Sequence, residues 1–89
     1  MKIYFSEKFI EQYKLLQKRN TKLAKKLQQR VKIFIQNPHH PLLKTHQLAG
    51  KLKNKSAFWI SWDTRIVFEY LAKDKVRFLV LGKHNEVYR

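Results

Sequence analysis

Apolar side chains recur at helical spacing along the first part of the chain, which predicts two helices in succession. Residues 2–5 read as a short strand, and Ser6 is a suitable N-cap for a helix that ends near Asn20. The apolar stripe of this helix comprises Phe9, Ile10, Tyr13 and Leu16. Asn20 or Thr21 can cap a second helix, which Pro38 ends because proline lacks the backbone donor and restricts the residue before it. The second stripe comprises Leu23, Leu27, Val31 and Phe34, with Ala24 and Ile35 beside it.

The remainder of the chain reads as one loop followed by three strands. Residues 38–56 contain two prolines, three histidines and four lysines, and are predicted to form a loop. Aromatic and β-branched residues dominate 57–62, 65–71 and 76–81, as is typical of half-buried strands. Residues 72–75 favour a hairpin turn between the last two strands.

These elements predict an α+β fold with the order β-α-α-β-β-β in a single domain, residues 1–89. A helical hairpin, formed because almost no residues separate the two helices, should pack on one face of a small antiparallel sheet. The opposite face is then available to line a site. Alternation separates Arg65 from Ile66 but does not decide which of them faces the helices. Trp59 and Trp62 fall on opposite faces, so at least one is expected in the core.

Charge changes this picture, because 20 Lys and Arg residues stand against 6 Asp and Glu, for a formal net charge of +14. Residues 1–36 carry ten basic and two acidic side chains, and residues 37–56 carry four lysines and no acid. Such a surface repels itself and attracts polyanions. Nucleic acid is the first candidate partner and an acidic protein is the second. A lysine-rich solvated surface without a specific partner is the third interpretation.

Several classes of protein are disfavoured by what the sequence lacks. There is no cysteine, hence no disulfide framework and no thiolate metal site, which suits a reducing cytoplasm. No apolar run approaches the ~20 residues of a membrane-spanning helix, and the N-terminal residues do not resemble a signal peptide. With few carboxylates near them, the four histidines form a poor zinc set. We therefore expect a cytoplasmic protein that uses no metal and no cofactor.

Two histidines are candidates for acid–base chemistry on RNA. Attack of a ribose 2′-hydroxyl on the adjacent phosphate needs a base, an acid and nearby cations, and histidine suits both proton roles because its ordinary pKa is about 6.5. His84 follows a predicted strand, after Gly82 and Lys83. His46 lies in the loop, where Leu43 and Leu48 can anchor the chain. His39 and His40 flank prolines and are not expected to be catalytic. The alternative interpretation of His46 and His84 is two exposed surface histidines.

Further residues could orient these groups or hold the substrate. Asp63 either orients a histidine, acts as a base, or stabilises a turn. Arg65 and Arg77 can donate paired hydrogen bonds to a phosphate. The remaining candidates for substrate contact are Lys83, Tyr88, Lys51 and Lys53. Function then depends on whether folding brings the two imidazoles within the span of one nucleotide, among cationic side chains.

The sequence resembles the bacterial type II toxins of the RelE/ParE superfamily, and within it the YafQ-like mRNA interferases. The resemblance covers essentially the whole chain in its order of elements. It is most specific in three stretches, HPLLKTHQLAG (40–50), WDTRIVFEY (62–70) and LGKHNEVY (81–88).

The resemblance implies a small basic toxin that an acidic antitoxin neutralises in a hetero-oligomer. The free toxin would enter the ribosome and cleave translated mRNA without a metal. By position, His46 and His84 resemble the acid–base histidines of the YafQ-like group, and Asp63 resembles its catalytic aspartate. Arg65 resembles the strand arginine that RelE uses on phosphate, and Tyr88 falls where these proteins keep a functional aromatic residue.

The chain departs from the family pattern at two places. Val80 stands where YafQ-like enzymes carry an arginine, and Trp59 and Ser61 stand near the positions of a RelE lysine pair. Phosphate contact would then depend on Arg65, Arg77 or Lys83. Two alternatives to a ribonuclease remain open: a ParE-like toxin that inhibits DNA gyrase and cleaves no RNA, and an inert partner-binding module with a decayed site.

Overall fold

The computed structural model describes residues 1–84, which form two helices and five strands. Strand β1 (Lys2–Phe5) leads into helices α1 (Glu7–Arg19) and α2 (Thr21–Gln36). Strand β2 (His46–Gln47) is followed by β3 (Ser56–Trp59), β4 (Thr64–Ala72) and β5 (Lys75–Lys83). Two 3-10 turns, Pro41–Leu43 and Gly50–Leu52, flank β2. The α+β class is confirmed.

Both helices begin at the caps that the sequence predicts. The Ser6 hydroxyl accepts the backbone N–H of Phe9 at 3.0 Å, and the Asn20 side chain accepts that of Leu23 at 3.1 Å. Each cap satisfies one of the N–H groups that a helix leaves without an internal partner. The Ser6 hydroxyl also donates to the Leu79 carbonyl on β5 at 2.7 Å, so one side chain both starts α1 and ties it to the sheet.

The double role of Ser6 predicts a measurable loss of stability for Ser6→Ala. The variant loses the helix cap and leaves the Leu79 carbonyl without its hydroxyl donor, which together should lower the free energy of unfolding by about 1–2 kcal/mol. Urea denaturation measures this as a lower midpoint with an unchanged slope. Ser6→Thr keeps the hydroxyl and is the matched control. A Ser6→Ala protein as stable as the wild type would contradict the role.

The five strands form one mixed sheet with the order β1-β5-β4-β3-β2. The pairs β2–β3, β3–β4 and β4–β5 are antiparallel, as expected for successive hairpins. Strand β1 instead lies parallel to β5, with Ile3 opposite Val76. The helical hairpin is the crossover that permits this pairing, since parallel neighbours need a long connection. The sheet is therefore mixed, where the sequence indicated an antiparallel one.

The main core lies between the helices and one face of the sheet. Ile66 and Phe68 point to this face and pack with residues of both helices, chiefly Phe9, Leu27 and Phe34. The four rings of Phe34, Phe58, Phe68 and Phe78 are fully buried and contact one another, with centroids 4.6–5.8 Å apart. A smaller cluster on the opposite face contains Leu48, Ala57 and Val67.

The expectation that one tryptophan belongs to the core is wrong. Trp62 is 79% exposed and Trp59 is half-buried, while Phe58 and Ile60 supply the buried side chains of this region. Strand β3 ends at Trp59, three residues earlier than predicted, so strand alternation does not extend to Trp62.

The loop between α2 and β3 is more ordered than its composition suggests. Leu43 and Leu48 are buried, as expected of anchors, and strand β2 pairs with β3 between them. Lys44 adopts the left-handed conformation (φ 49°), which reverses the chain before β2. No helix within residues 1–84 is long and apolar enough to cross a membrane.

Candidate active site

The sheet surface that faces away from the helices, here called the open face, carries two of the candidate residues, His46 and Arg65. Its central row consists of Trp59 on β3, Arg65 on β4 and Gly82 on β5, which are directly paired. Partners in adjacent strands point to the same side of a sheet. Arg65 therefore faces away from the helical core, which answers the question that alternation alone left open.

His46 lies at one side of the open face. It pairs with Ala57, which in turn pairs with Val67, and both of these belong to the open-face cluster. The ring is exposed, and its Nδ1 lies 3.0 Å from the carbonyl oxygen of Lys44. Because a carbonyl only accepts, Nδ1 carries the proton in this contact. In the neutral ring the basic lone pair is then on Nε2, the form that a general base requires.

His84 lies just beyond the other end of the central row. It follows β5 immediately, and its backbone N–H donates to the Asp63 carbonyl at 2.7 Å. The Asp63 carboxylate accepts hydroxyl hydrogen bonds from Ser61 at 3.0 Å and Thr64 at 3.2 Å. The main chain and side chain of Asp63 thus hold the β3–β4 turn and place the backbone of His84 beside it.

The hydrogen bonds at Asp63 also set its protonation. The hydroxyl of Ser61 is the main cause that lowers the pKa of this carboxyl below its ordinary value, with smaller contributions from Thr64 and the charge of Lys83. A carboxyl with a lowered pKa is ionised at neutral pH and is a weak proton acceptor. This favours an orienting role for Asp63 over the role of a base.

Arg65 is held firmly in the middle of the open face. Its guanidinium carbon lies 3.9 Å from the centroid of the Trp59 ring, and its Nη1 donates to the carbonyls of Ser61 at 2.8 Å and Thr64 at 3.3 Å. The residue is only 4% exposed, and its Nε is buried without a hydrogen-bond partner in the described part of the chain. A buried guanidinium with an unused donor is a ready partner for an anion.

The register gives the separation of these groups. With about 4.8 Å between strands and about 3.3 Å per residue, Cα of Arg65 lies roughly 8 Å from that of His84 and roughly 12 Å from that of His46. The Cα atoms of the two histidines flank that of Arg65 and are on the order of 20 Å apart, which is farther than the span of one nucleotide. They approach Arg65 from opposite sides instead of lying next to each other.

The other candidates are distributed unevenly. Lys83 is exposed and pairs with Thr64 at the start of β4, so alternation places its side chain on the face opposite to that of Arg65. Lys51 and Lys53 are exposed in and beside the 3-10 turn that covers the open face next to Leu48. Arg77 pairs with Glu69 near the far end of β5, roughly 20 Å along the strand from His84, so the structure does not bring it into the site. Tyr88 lies outside the described residues.

Sequence reasoning missed the cations that helix α2 contributes. Lys26 and Arg30 line a cleft of about 330 Å3 together with Lys44, Trp59 and Trp62. Lys26 and Arg30 lie outside the apolar stripe of α2, where helical spacing alone predicts a solvated surface. Only the packing of α2 beside the end of β3 shows that they meet the aromatic residues of the sheet.

A second, apolar groove opens on the helical side. Its volume is about 390 Å3, and it is lined by Phe5, Phe9, Ile10, Tyr13, Lys14, Gln17, Leu27, Gln28, Val31 and Phe78. Phe5 and Ile10 are 50% and 40% exposed there, although both belong to elements that pack on the core. Helices α1 and α2 therefore leave part of their apolar stripes uncovered.

Within residues 1–84, no three His, Cys, Asp or Glu side chains come close enough together to hold a metal ion. The sequence matches no protein-family model and no curated protein.

Solved structures, in contrast, are clearly similar to this chain. YafQ from E. coli strain BL21(DE3) is 25% identical in sequence and superposes with a TM-score of 0.81. The match covers 98% of this chain and 97% of the YafQ chain. A YoeB/ParE toxin from Agrobacterium tumefaciens is 16% identical, with 94% and 99% coverage and a TM-score of 0.81. The E. coli DinJ–YafQ complex gives 25% identity, 98% and 97% coverage, and a TM-score of 0.79. The resemblance inferred from the sequence is confirmed: the chain has the fold of the YafQ and YoeB/ParE toxins of the RelE superfamily.

Proposed function

We propose that this protein is the toxin of a type II toxin–antitoxin pair and cleaves translated mRNA as a ribosome-dependent endoribonuclease that needs no metal. The observation that carries the proposal is that His46 and His84 flank the buried Arg65, the first on the open face and the second directly after β5. The fold shared with YafQ and YoeB/ParE toxins supports the class of protein.

The reaction assigns one proton transfer to each histidine, and it requires the two imidazoles to turn toward each other around one phosphate, since their Cα atoms are on the order of 20 Å apart. The Nδ1–H group of His46 donates a hydrogen bond to the Lys44 carbonyl. Its Nε2 atom accepts the proton of the ribose 2′-hydroxyl. The 2′-oxygen forms a bond to phosphorus, the bond from phosphorus to the 5′-oxygen breaks, and protonated His84 donates its proton to that departing oxygen. The products are a 2′,3′-cyclic phosphate and a 5′-hydroxyl. Asp63 acts by holding the turn on which the His84 backbone is fixed.

Phosphate contact is divided between exposed and buried cations. Lys44 is exposed beside Trp59 and makes the first contact with the RNA backbone. Arg65 is too buried to meet the phosphate without a local rearrangement, but its unpartnered Nε gains an acceptor when the phosphate arrives. Such a gain is largest when negative charge builds up on the phosphorane, so it favours the transition state.

Mapping the 5′ ends of one message in bacteria tests this function. The protein is induced together with a reporter mRNA and with a copy that lacks its start codon, and supercoiling by DNA gyrase is assayed in parallel with the purified protein. We expect new 5′ ends only in the translated message and unimpaired gyrase. Gyrase inhibition with an intact message would establish the ParE-like alternative, and the absence of growth arrest would favour the inert module.

We propose that the antitoxin binds in the apolar groove. The surface around it is basic, with Lys14 on the groove itself and a net charge of +14 over the whole chain. A second copy of this chain would meet strong repulsion there, whereas an acidic helix with apolar side chains fits both the lining and the charge. The complex of the similar YafQ with DinJ supports a partner of this kind.

A charge placed inside the groove should weaken binding of an acidic helix. Ile10→Glu puts a carboxylate among apolar side chains, and we expect affinity for a designed amphipathic acidic peptide to fall at least tenfold, measured by fluorescence anisotropy. Ile35→Glu adds the same charge at a residue that is 43% exposed and does not line the groove. Equal losses for the two variants would mean that net charge, and not the groove, binds the peptide.

A further inference from the structure

The cationic cleft beside the open face has walls of two chemical kinds. On one side, Lys26 and Arg30 project from consecutive turns of α2. On the other side lie Trp59 and Trp62, at the end of β3 and in the bend after it. Lys44 completes the rim, and no acidic side chain of the described residues lines the cleft. The surroundings thus combine three positive charges with two indole rings.

One cation in this cleft has an unsatisfied donor. The Nη1 atom of Arg30 is buried and has no hydrogen-bond partner within the described part of the chain. Buried donors are nearly always paired in folded proteins, because leaving one unpaired costs free energy. Lys26 lies one turn away on the same helix and adds a second positive charge. An anionic oxygen would satisfy this donor and also interact favourably with both charges.

The opposite wall exposes an aromatic surface that folding does not use. Trp62 is 79% exposed, although burial of an indole would ordinarily stabilise the fold. Two cations already contact the ring of Trp59: the guanidinium carbon of Arg65 lies 3.9 Å from its centroid, and Nζ of Lys44 lies 5.1 Å from it. The free ring of the pair is thus Trp62. An exposed ring beside a cationic cleft is the arrangement on which nucleic-acid bases stack.

We propose that this cleft binds one nucleotide of a single-stranded RNA, outside the row that carries the reaction. Its phosphate lies on Arg30 and Lys26, and its base stacks on Trp62. Because Trp59 contributes both to the cleft and to the central row with Arg65, the two sites are adjacent, and a single RNA strand can occupy both. That the ligand is RNA rests on the proposed function, whereas the cleft itself rests on its own geometry.

Binding of an RNA that cannot be cleaved tests the cleft directly. The probe is a fluorescent 2′-O-methyl hexauridylate, whose blocked 2′-oxygens prevent cleavage, and affinity is measured by anisotropy. We expect Arg30→Gln and Trp62→Ala each to weaken binding five- to fiftyfold. Arg19→Gln, which removes the same charge from an exposed position at the end of α1, should weaken it less than twofold. Tripolyphosphate, which carries phosphate groups but no nucleobase, serves as a second ligand.

Each outcome decides for or against the cleft. Trp62→Ala should leave tripolyphosphate affinity unchanged while Arg30→Gln lowers it, since only the RNA has a base to stack. Equal effects of Arg30→Gln and Arg19→Gln would overturn the proposal, as would a Trp62→Ala protein with wild-type RNA affinity. Lys26→Gln provides the same test if Arg30→Gln does not fold. A protein without nuclease activity can still bind this probe, so failure of the proposed function is seen separately.

Discussion

Replacing His84 with alanine is expected to lower the rate of mRNA cleavage by about 10²-fold or more. The imidazole is assigned the proton that the departing 5′-oxygen needs, and loss of a general acid or base ordinarily costs this much. The variant keeps the hydrogen bond that the backbone N–H of residue 84 donates to the Asp63 carbonyl, so the main chain stays tied to the β3–β4 turn. The rate is measured on a translated message with equal amounts of wild-type and variant protein.

His39→Ala is the matched control for this experiment. His39 is exposed in the turn after α2, and its contact with Asn37 is made by its backbone N–H. The control variant should cleave at the wild-type rate, while His46→Ala should lose about as much activity as His84→Ala because each histidine handles one proton. Wild-type cleavage by His84→Ala would remove that residue from the mechanism and leave the departing 5′-oxygen without an assigned proton donor.

The second large effect is expected in the core, where Phe34→Ala should cost about 3–5 kcal/mol of unfolding free energy. Phe34 has no exposed surface and contacts the rings of Phe58, Phe68 and Phe78 at centroid distances of 4.6, 4.9 and 5.7 Å. Its removal leaves a cavity at the place where α2 meets three strands. A domain of this size has a total stability of about 5–10 kcal/mol, so the variant should be partly unfolded at 37 °C.

The neighbouring Ile35 provides the control, since it lies on the same turn of α2 but is 43% exposed. Ile35→Ala should change the free energy of unfolding by less than about 1 kcal/mol. Both variants are compared by urea denaturation, followed by circular dichroism. Similar midpoints for the two would show that the aromatic cluster does not hold the helices on the sheet.

The helices and the long strands were predictable from the sequence because their signals are local. The spacing of Phe9 and Tyr13, the capping residues Ser6 and Asn20, and the stop at Pro38 each act within a few residues. The parallel pairing of β1 with β5 was not predictable in this way. This pairing depends on contacts between the first and last described strands, and no local pattern in residues 2–5 indicates that β5 is the strand beside them.

The site was only partly predictable for the same reason. The residue types of His46, Arg65 and His84 indicated their chemistry, but the position of the two histidines on either side of Arg65 follows from a register across four strands. Strand β2 has only two residues, too few for alternation to reveal it. The cleft at Arg30 depends on where α2 packs beside the end of β3, which is a property of the tertiary structure alone.

The pairing of β1 with β5 has a consequence for synthesis. Helix α1 is tied to β5 through Ser6 and Leu79, and the Gln12 side chain accepts the backbone N–H of Leu81. A nascent polypeptide that has not yet made β5 lacks both the neighbour of its first strand and a support for its first helix. Contacts this distant in sequence delay folding until translation has passed them. Until β5 has been made, the nascent polypeptide therefore lacks the folded sheet on which the candidate site is built.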